Sequence, residues 1–242
     1  MPALIDSPAS LQLSPVWCLR QQLDGLGDRT TRALLRAVLG VSLGGIRVEG
    51  AHRLTAVPDP AIFALSHHNA YEALLAPAAL MALRGGRPVR FLVDWMYLEL
   101  PLAGALLRRG ETIAVYRKPA RWRWREAVRR QGLQGASATD RALAVLAHGQ
   151  SLGIYPEGRR NADPWRLAPL RRGAAELARR SGAPLVPIGI DFPARERLGR
   201  LPRLGRMVLR VGEPLSPQRL EESLTTELET ALAHLARKTT AT

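Results

Sequence analysis

His67 and Glu72 stand in a polar run, Ser66-His67-His68-Asn69-Ala70-Tyr71-Glu72, caught between two apolar stretches. An imidazole and a carboxylate are the parts of an oriented general base. The ring nitrogen facing a cleft takes a proton, and the other donates to a carboxylate that fixes tautomer and orientation. On one continuous helix, residues five apart would diverge by about 140° at roughly 100° per residue, and the two side chains could not meet. They can meet if His67 ends a turn and Glu72 sits in the first turn of the next helix. The flanks favour that arrangement. Ala61-Ile62-Phe63-Ala64-Leu65 reads as a short buried strand, and Ala73 to Leu83, apolar at helical spacing and too long for one strand, reads as a helix.

A second polar interruption, Tyr155-Pro156-Glu157-Gly158-Arg159-Arg160-Asn161, follows the apolar run Ser151-Leu152-Gly153-Ile154. Pro156 stiffens the strand exit, while Gly158 permits a turn and a close approach of backbone to a ligand. Taken with the first run, it resembles the 1-acylglycerol-3-phosphate acyltransferase family of glycerolipid acyltransferases. The family's H-x-x-x-x-D motif is matched by His67 and Glu72, with glutamate as the acid. Its F-P-E-G-T-R motif is matched by Tyr155 to Arg160, with Arg159 where the family commonly carries a small or hydroxyl residue. The motif centred on an arginine after a short strand matches Ile113-Ala114-Val115-Tyr116-Arg117, and the V-P-V-like strand matches Val186-Pro187-Ile188. All four stand in the family's order, and the resemblance runs from about Thr31 to Glu213.

The resemblance implies an O-acyltransferase that moves a fatty acyl group from acyl-CoA or acyl carrier protein to a lysophospholipid hydroxyl, with 1-acylglycerol-3-phosphate as the default acceptor. His67 would be the base and Glu72 its orienting acid. Arg117 and Arg160 would bind the phosphate, as planar guanidinium groups that stay charged and grip oxyanions at two points can. Glu157 and Gly158 would belong to acceptor binding, Glu157 by accepting from a hydroxyl. No metal or other cofactor is implied. Glu72 and Arg159, as departures from the pattern, leave another lysophospholipid, a glycolipid or an aminolipid open as acceptor.

These side chains need a scaffold. Ile46-Arg47-Val48-Glu49-Gly50, Val89 to Val93, Thr112 to Tyr116, Pro184 to Asp191 and Met207 to Val211 read as further strands, with helices over Pro101 to Arg109, Thr139 to His148 and a stretch ending near Ser181-Gly182. Gln131 to Ser137 reads as a flexible connector, and Ser216-Pro217 as the opening of a terminal helix. The alternation predicts an α/β fold, a largely parallel or mixed central sheet flanked by helices. His67, Arg117 and Glu157 would then share the carboxyl edge of the sheet, where sites of such folds gather. Apolar residues at helical intervals between Leu11 and Leu43, broken at Asp24 to Asp28, predict an N-terminal two-helix motif in residues 1–45, its apolar faces turned to the core or the lipid interface. Residues 46–242 would form the catalytic domain.

The 242 residues, 46% of them hydrophobic, suffice for a packed core, and the single Cys18 excludes an intramolecular disulfide framework. The net charge of +14 calls for a negative partner, an anionic membrane surface or nucleic acid. Trp122 and Trp124 among the arginines of 117–130 suit either. No nucleic-acid-binding signature accompanies them, which favours the membrane. The N-terminus lacks the features of a signal peptide, and the longest apolar stretches fall short of the ~20 residues that cross a bilayer. The expectation is a cytoplasmic protein, peripheral on the inner face of the cell membrane. Gly149-Gln150-Ser151-Leu152-Gly153 matches the G-x-S-x-G of serine hydrolases in reversed context, because a helix precedes it and a strand follows.

Overall fold

A computed structural model describes residues 10–14, 17, 20–26, 28–40, 45–68, 72–99, 101–117, 119, 123–161, 163–193 and 207–240. Its strands are β1 (Leu11–Leu13), β2 (Ile46–Glu49), β3 (Ile62–Leu65), β4 (Val89–Asp94), β5 (Ile113–Val115), β6 (Ser151–Ile154), β7 (Leu185–Asp191) and β8 (Met207–Val211). They form one sheet in the order β1-β2-β8-β7-β3-β6-β4-β5. β7, β3, β6, β4 and β5 are parallel, β8 is antiparallel to β7 and parallel to β2, and β1 is antiparallel to β2. The sheet is thus mixed and mainly parallel, as the alternation of elements predicts.

β3 shows why the sheet lies at the centre. All four of its residues are buried. Phe63 and Leu65 join the core on one face, and Ile62 and Ala64 join the core on the other. A strand covered on both sides has no polar alternation to show. Helices α1 (Arg29–Gly40) and α3 (Glu72–Leu83) pack together, and both contribute buried leucines to the first core. The short α2 (Ala51–Ala56) packs against α3. The second core takes in α6 (Ala138–Ala147), α7 (Gly173–Ser181) and α8 (Glu221–Leu235). A 3₁₀ turn (Trp95–Glu99) and α4 (Pro101–Arg109) connect β4 to β5, and α5 (Arg123–Leu133) follows β5.

Three expectations are corrected. Leu11–Leu13 is not helical but an edge strand, with Leu11 opposite Val48 and Leu13 opposite Ile46. Only Trp17 and Arg20 are described as helical before the turn at Asp24-Gly25, whereas the second expected helix is α1, begun by Asp28 accepting from the Thr30 and Thr31 N–H groups. The connector expected from Gln131 begins later, because α5 continues to Leu133. The last helix starts at Glu221 rather than at Pro217.

Ser151, the serine of the G-x-S-x-G match, is fully buried in β6. Its hydroxyl accepts from the Ala61 N–H at 3.0 Å and donates to Asp59. Asp59 in turn meets Arg84 at 2.8 Å and Arg87 at 3.2 Å, with the Arg84 side chain wholly inside the protein and its guanidinium 4.7 Å from the Phe63 ring centre. This serine is a structural link at the amino edge of the parallel strands. It is no nucleophile. Among the described residues no helix is long and apolar enough to cross a membrane.

Candidate active site

His67 lies two residues beyond the end of β3, Tyr155 one beyond β6 and Arg117 two beyond β5. Parallel strands therefore deliver all three to one edge. The polar run turns there as its spacing requires. Glu72 is the first residue of α3, and its Oε1 lies 2.9 Å from His67 Nδ1. A carboxylate can only accept, so Nδ1 carries the proton and Nε2 is left with the lone pair. The same Glu72 oxygen accepts from the His68 N–H. Glu72 is completely buried, while the His67 side chain keeps 13% exposure. The ring thus borders the cleft with the acid behind it. Asn69, Ala70 and Tyr71, between them, lie outside the described residues.

The second run holds the first in place. Glu157 Oε1 accepts from the His67 N–H at 2.6 Å, and Oε2 accepts from the Ala168 N–H at 3.1 Å. The Asn161 N–H donates to the His67 carbonyl at 3.1 Å. Both main-chain groups of His67 are therefore clamped by residues 157–161. Burial pushes the Glu157 carboxyl above its usual range, against the pull of these N–H donors and of Lys238. With 2% exposure and a main-chain N–H on each oxygen, Glu157 holds the His67 backbone in place, a positioning role beside the acceptor contact expected of it.

Gly158 has φ +65°, and a β-carbon there would collide with the Arg171 side chain. The glycine supplies the left-handed turn and the room for that arginine to pass. Arg117, Arg159, Arg160 and Arg171 all border one groove, and Gly158 lies among them. None of the four has a carboxylate partner among the described residues. Loss of hydration first, then the positive charges of Arg117 and Arg159, hold the Arg171 pKa below its usual value. Like charges gathered without counter-charge form a seat for an anion. Arg171 was not legible as part of it from sequence. Its one signal is an arginine pair just before a helix.

The groove has a volume of about 720 Å³. It begins at His67 and the arginines and is bordered by Pro88 to Asp94, by Ala73, Leu74, Pro77 and Met81 of α3, and by Leu34, Leu35 and Val38 of α1. Val89 to Asp94, which border it, span five rises of about 3.3 Å, roughly 17 Å of strand. An aromatic file lines the groove near His67. The Tyr155 ring lies tilted, 4.4 Å from the imidazole and 6.0 Å from Phe91, measured between ring centres. Phe91 lies against Gly153, where any β-carbon would strike its ring. Trp122 and the side chain of Trp124 lie outside the described residues.

A base with its orienting acid, an anion seat and an apolar channel thus open on one space. The family model described as Acyltransferase matches residues 45–191. A curated 1-acyl-sn-glycerol-3-phosphate acyltransferase of Bacillus subtilis (strain 168) is 36% identical over 81 residues, 34% of this chain and 38% of that protein. The chain thus aligns with well under two thirds of that relative's length. The crystal structure of the 1-acyl-sn-glycerophosphate (LPA) acyltransferase PlsC from Thermotoga maritima superposes with a TM-score of 0.61, covering 88% of this chain and 83% of that one at 16% identity. That likeness is one of fold.

Proposed function

The chain belongs to the Acyltransferase family, and from that premise we propose that it transfers a fatty acyl group from a thioester to the hydroxyl of a lysophospholipid. The observation that carries the proposal is the His67–Glu72 pair at 2.9 Å, opening on a groove bordered by apolar residues and by four arginines that have no carboxylate partner among the described residues. His67 Nε2 takes the proton of the acceptor hydroxyl as its oxygen attacks the thioester carbon. Glu72 stabilises the imidazolium. The tetrahedral adduct then collapses, the carbon–sulfur bond breaks, and the thiolate takes the proton back from His67. No covalent acyl-enzyme is needed, because an activated ester held beside an oriented base requires only proximity and proton transfer, the latter worth about 10²–10⁴ in rate.

The arginines suit a phosphate on the acceptor, and 1-acylglycerol-3-phosphate is the acceptor we propose, by analogy with the Bacillus subtilis relative. Coenzyme A or acyl carrier protein would bring the acyl chain, whose tail the channel would take. The net charge of +14 supports an anionic membrane as the surface where the acceptor is met, with the protein peripheral to it on its cytoplasmic side. Arg159 adds a cation where a smaller residue would leave the headgroup more room. A glycolipid acceptor without phosphate would leave that charge unused.

The test is release of free thiol from acyl-CoA with and without a panel of lysolipids. Release that depends on a phosphate-bearing lysolipid and disappears in His67→Ala is the expected result. Release without any acceptor, or an alanine variant with near-normal turnover, refutes the proposal.

A further inference from the structure

The segment after α8, residues 237–239, folds back onto the loop behind His67. After α8, Arg237 turns through a left-handed conformation, with φ 53°. Thr239 then lies beside the loop, where its N–H donates to the Trp165 carbonyl at 2.9 Å and its carbonyl accepts from the Leu167 N–H at 2.8 Å. Between these two residues, Lys238 Nζ donates to the Asp163 carbonyl at 3.2 Å and lies 3.3 Å from His68 Nδ1. An ammonium can only donate, so His68 accepts at Nδ1 and carries its proton on Nε2. His68 is the next residue after His67, and Glu72 receives its N–H.

The loop gripped in this way is the one that clamps His67. Asn161 donates its N–H to the His67 carbonyl and its side-chain amide to the Arg166 carbonyl at 2.6 Å. Ala168 supplies the N–H that holds the second oxygen of Glu157. The charge of Lys238 also favours the ionised form of Glu157, the form that accepts from His67 and Ala168 together. Two routes therefore run from Lys238 to His67, one through His68 along the chain and one through the loop.

We propose that this segment is a clasp for the catalytic histidine, with Lys238 a positioning residue that acts through His68 and the 161–168 loop and never touches substrate. The kinetic half of this inference rests on the acyltransferase reading; the structural half does not. Lys238→Met keeps the aliphatic stem and removes the donor, and Lys238→Arg keeps a donor. In the full chain, the Met variant lowers kcat about tenfold, the worth of one charge-assisted hydrogen bond, with KM for the acceptor within about twofold. The Arg variant recovers most of the loss. Nitrogen-15 NMR of the imidazoles in the same proteins shows His68 as the Nε2–H tautomer in wild type and a mixture of tautomers in Lys238→Met.

A folded Lys238→Met variant with unchanged kcat overturns the clasp, as does an unchanged His68 tautomer. Equal losses in the Met and Arg variants, accompanied by a fall in melting temperature, reduce Lys238 to general stability and overturn it as well. Should wild type transfer no acyl group while the His68 tautomer still shifts in Lys238→Met, the acyltransferase reading falls and the clasp stands.

Discussion

Replacing Glu72 by Gln isolates the electrostatic part of the proposed mechanism. The substitution keeps the size of the side chain and an oxygen to accept from His67 Nδ1 and the His68 N–H, and it removes only the charge. Toward a neutral imidazole little is lost. Once the imidazole has taken the acceptor's proton, the carboxylate 2.9 Å from Nδ1 faces a full positive charge. For charge centres about 4 Å apart at an effective dielectric of 20, that attraction is about 4 kcal/mol. At about 1.4 kcal/mol per decade, kcat falls about a thousandfold. KM for both substrates stays within a few fold, because Glu72 is fully buried behind the histidine and touches neither. The assay is continuous detection of thiol from acyl-CoA at saturating lysolipid, with a melting curve to establish that the variant is folded. Removing a buried charge relieves a desolvation cost, so no large fall in stability accompanies the loss of rate. A folded variant within tenfold of wild-type kcat would show that Glu72 does not stabilise the imidazolium, and the general-base argument would fail at its first step.

Arg171→Gln raises KM for a phosphate-bearing acceptor about tenfold and leaves kcat nearly unchanged, since one charge-assisted contact of the anion seat is lost; steady-state kinetics against lysolipid concentration check this, and a pure kcat defect contradicts it. At the opposite edge of the sheet, burial pushes the Asp59 carboxyl up, and the Ser151 hydroxyl with Arg84 and Arg87 outweighs that, so the net shift is downward. A carboxyl with a depressed folded-state pKa contributes stability above its unfolded value and loses it as pH falls through the folded one. Acid melting curves of Asp59→Asn should therefore lose part of the wild-type slope below about pH 4, and the variant should be about 3 kcal/mol less stable at neutral pH, because Arg84 is left buried beside a neutral partner. An unchanged acid slope refutes this account.

The contact within one turn and the sheet edge shared by His67, Arg117 and Glu157 were legible in the sequence, and the particular bonds made across the sheet were not. His67 and Glu72 are neighbours because a strand ends and a helix begins between them, which the apolar flanks announce. The partners of Glu157 are main-chain N–H groups of His67 and Ala168, and main-chain donors leave no mark in residue type. That is why its hold on the His67 backbone could not be read from the sequence. β1 has only three residues, and its pairing with β2 rather than any local preference makes it a strand. α5 is dense in arginine, with Glu126 meeting Arg129 at 2.5 Å, and has no buried stripe among its described residues to betray a helix. Arg171 reaches the seat only because the chain doubles back after Gly158, a return that residue types alone do not announce.

The ring of Phe91 and the absent side chain of Gly153 occupy one and the same volume. Neither position is therefore free to vary alone. A methyl group added at 153 displaces the ring, and the groove can be widened at 91 without loss of solid packing only if bulk is returned at 153. Any attempt to reshape this groove has to treat the two strands as a single dimension.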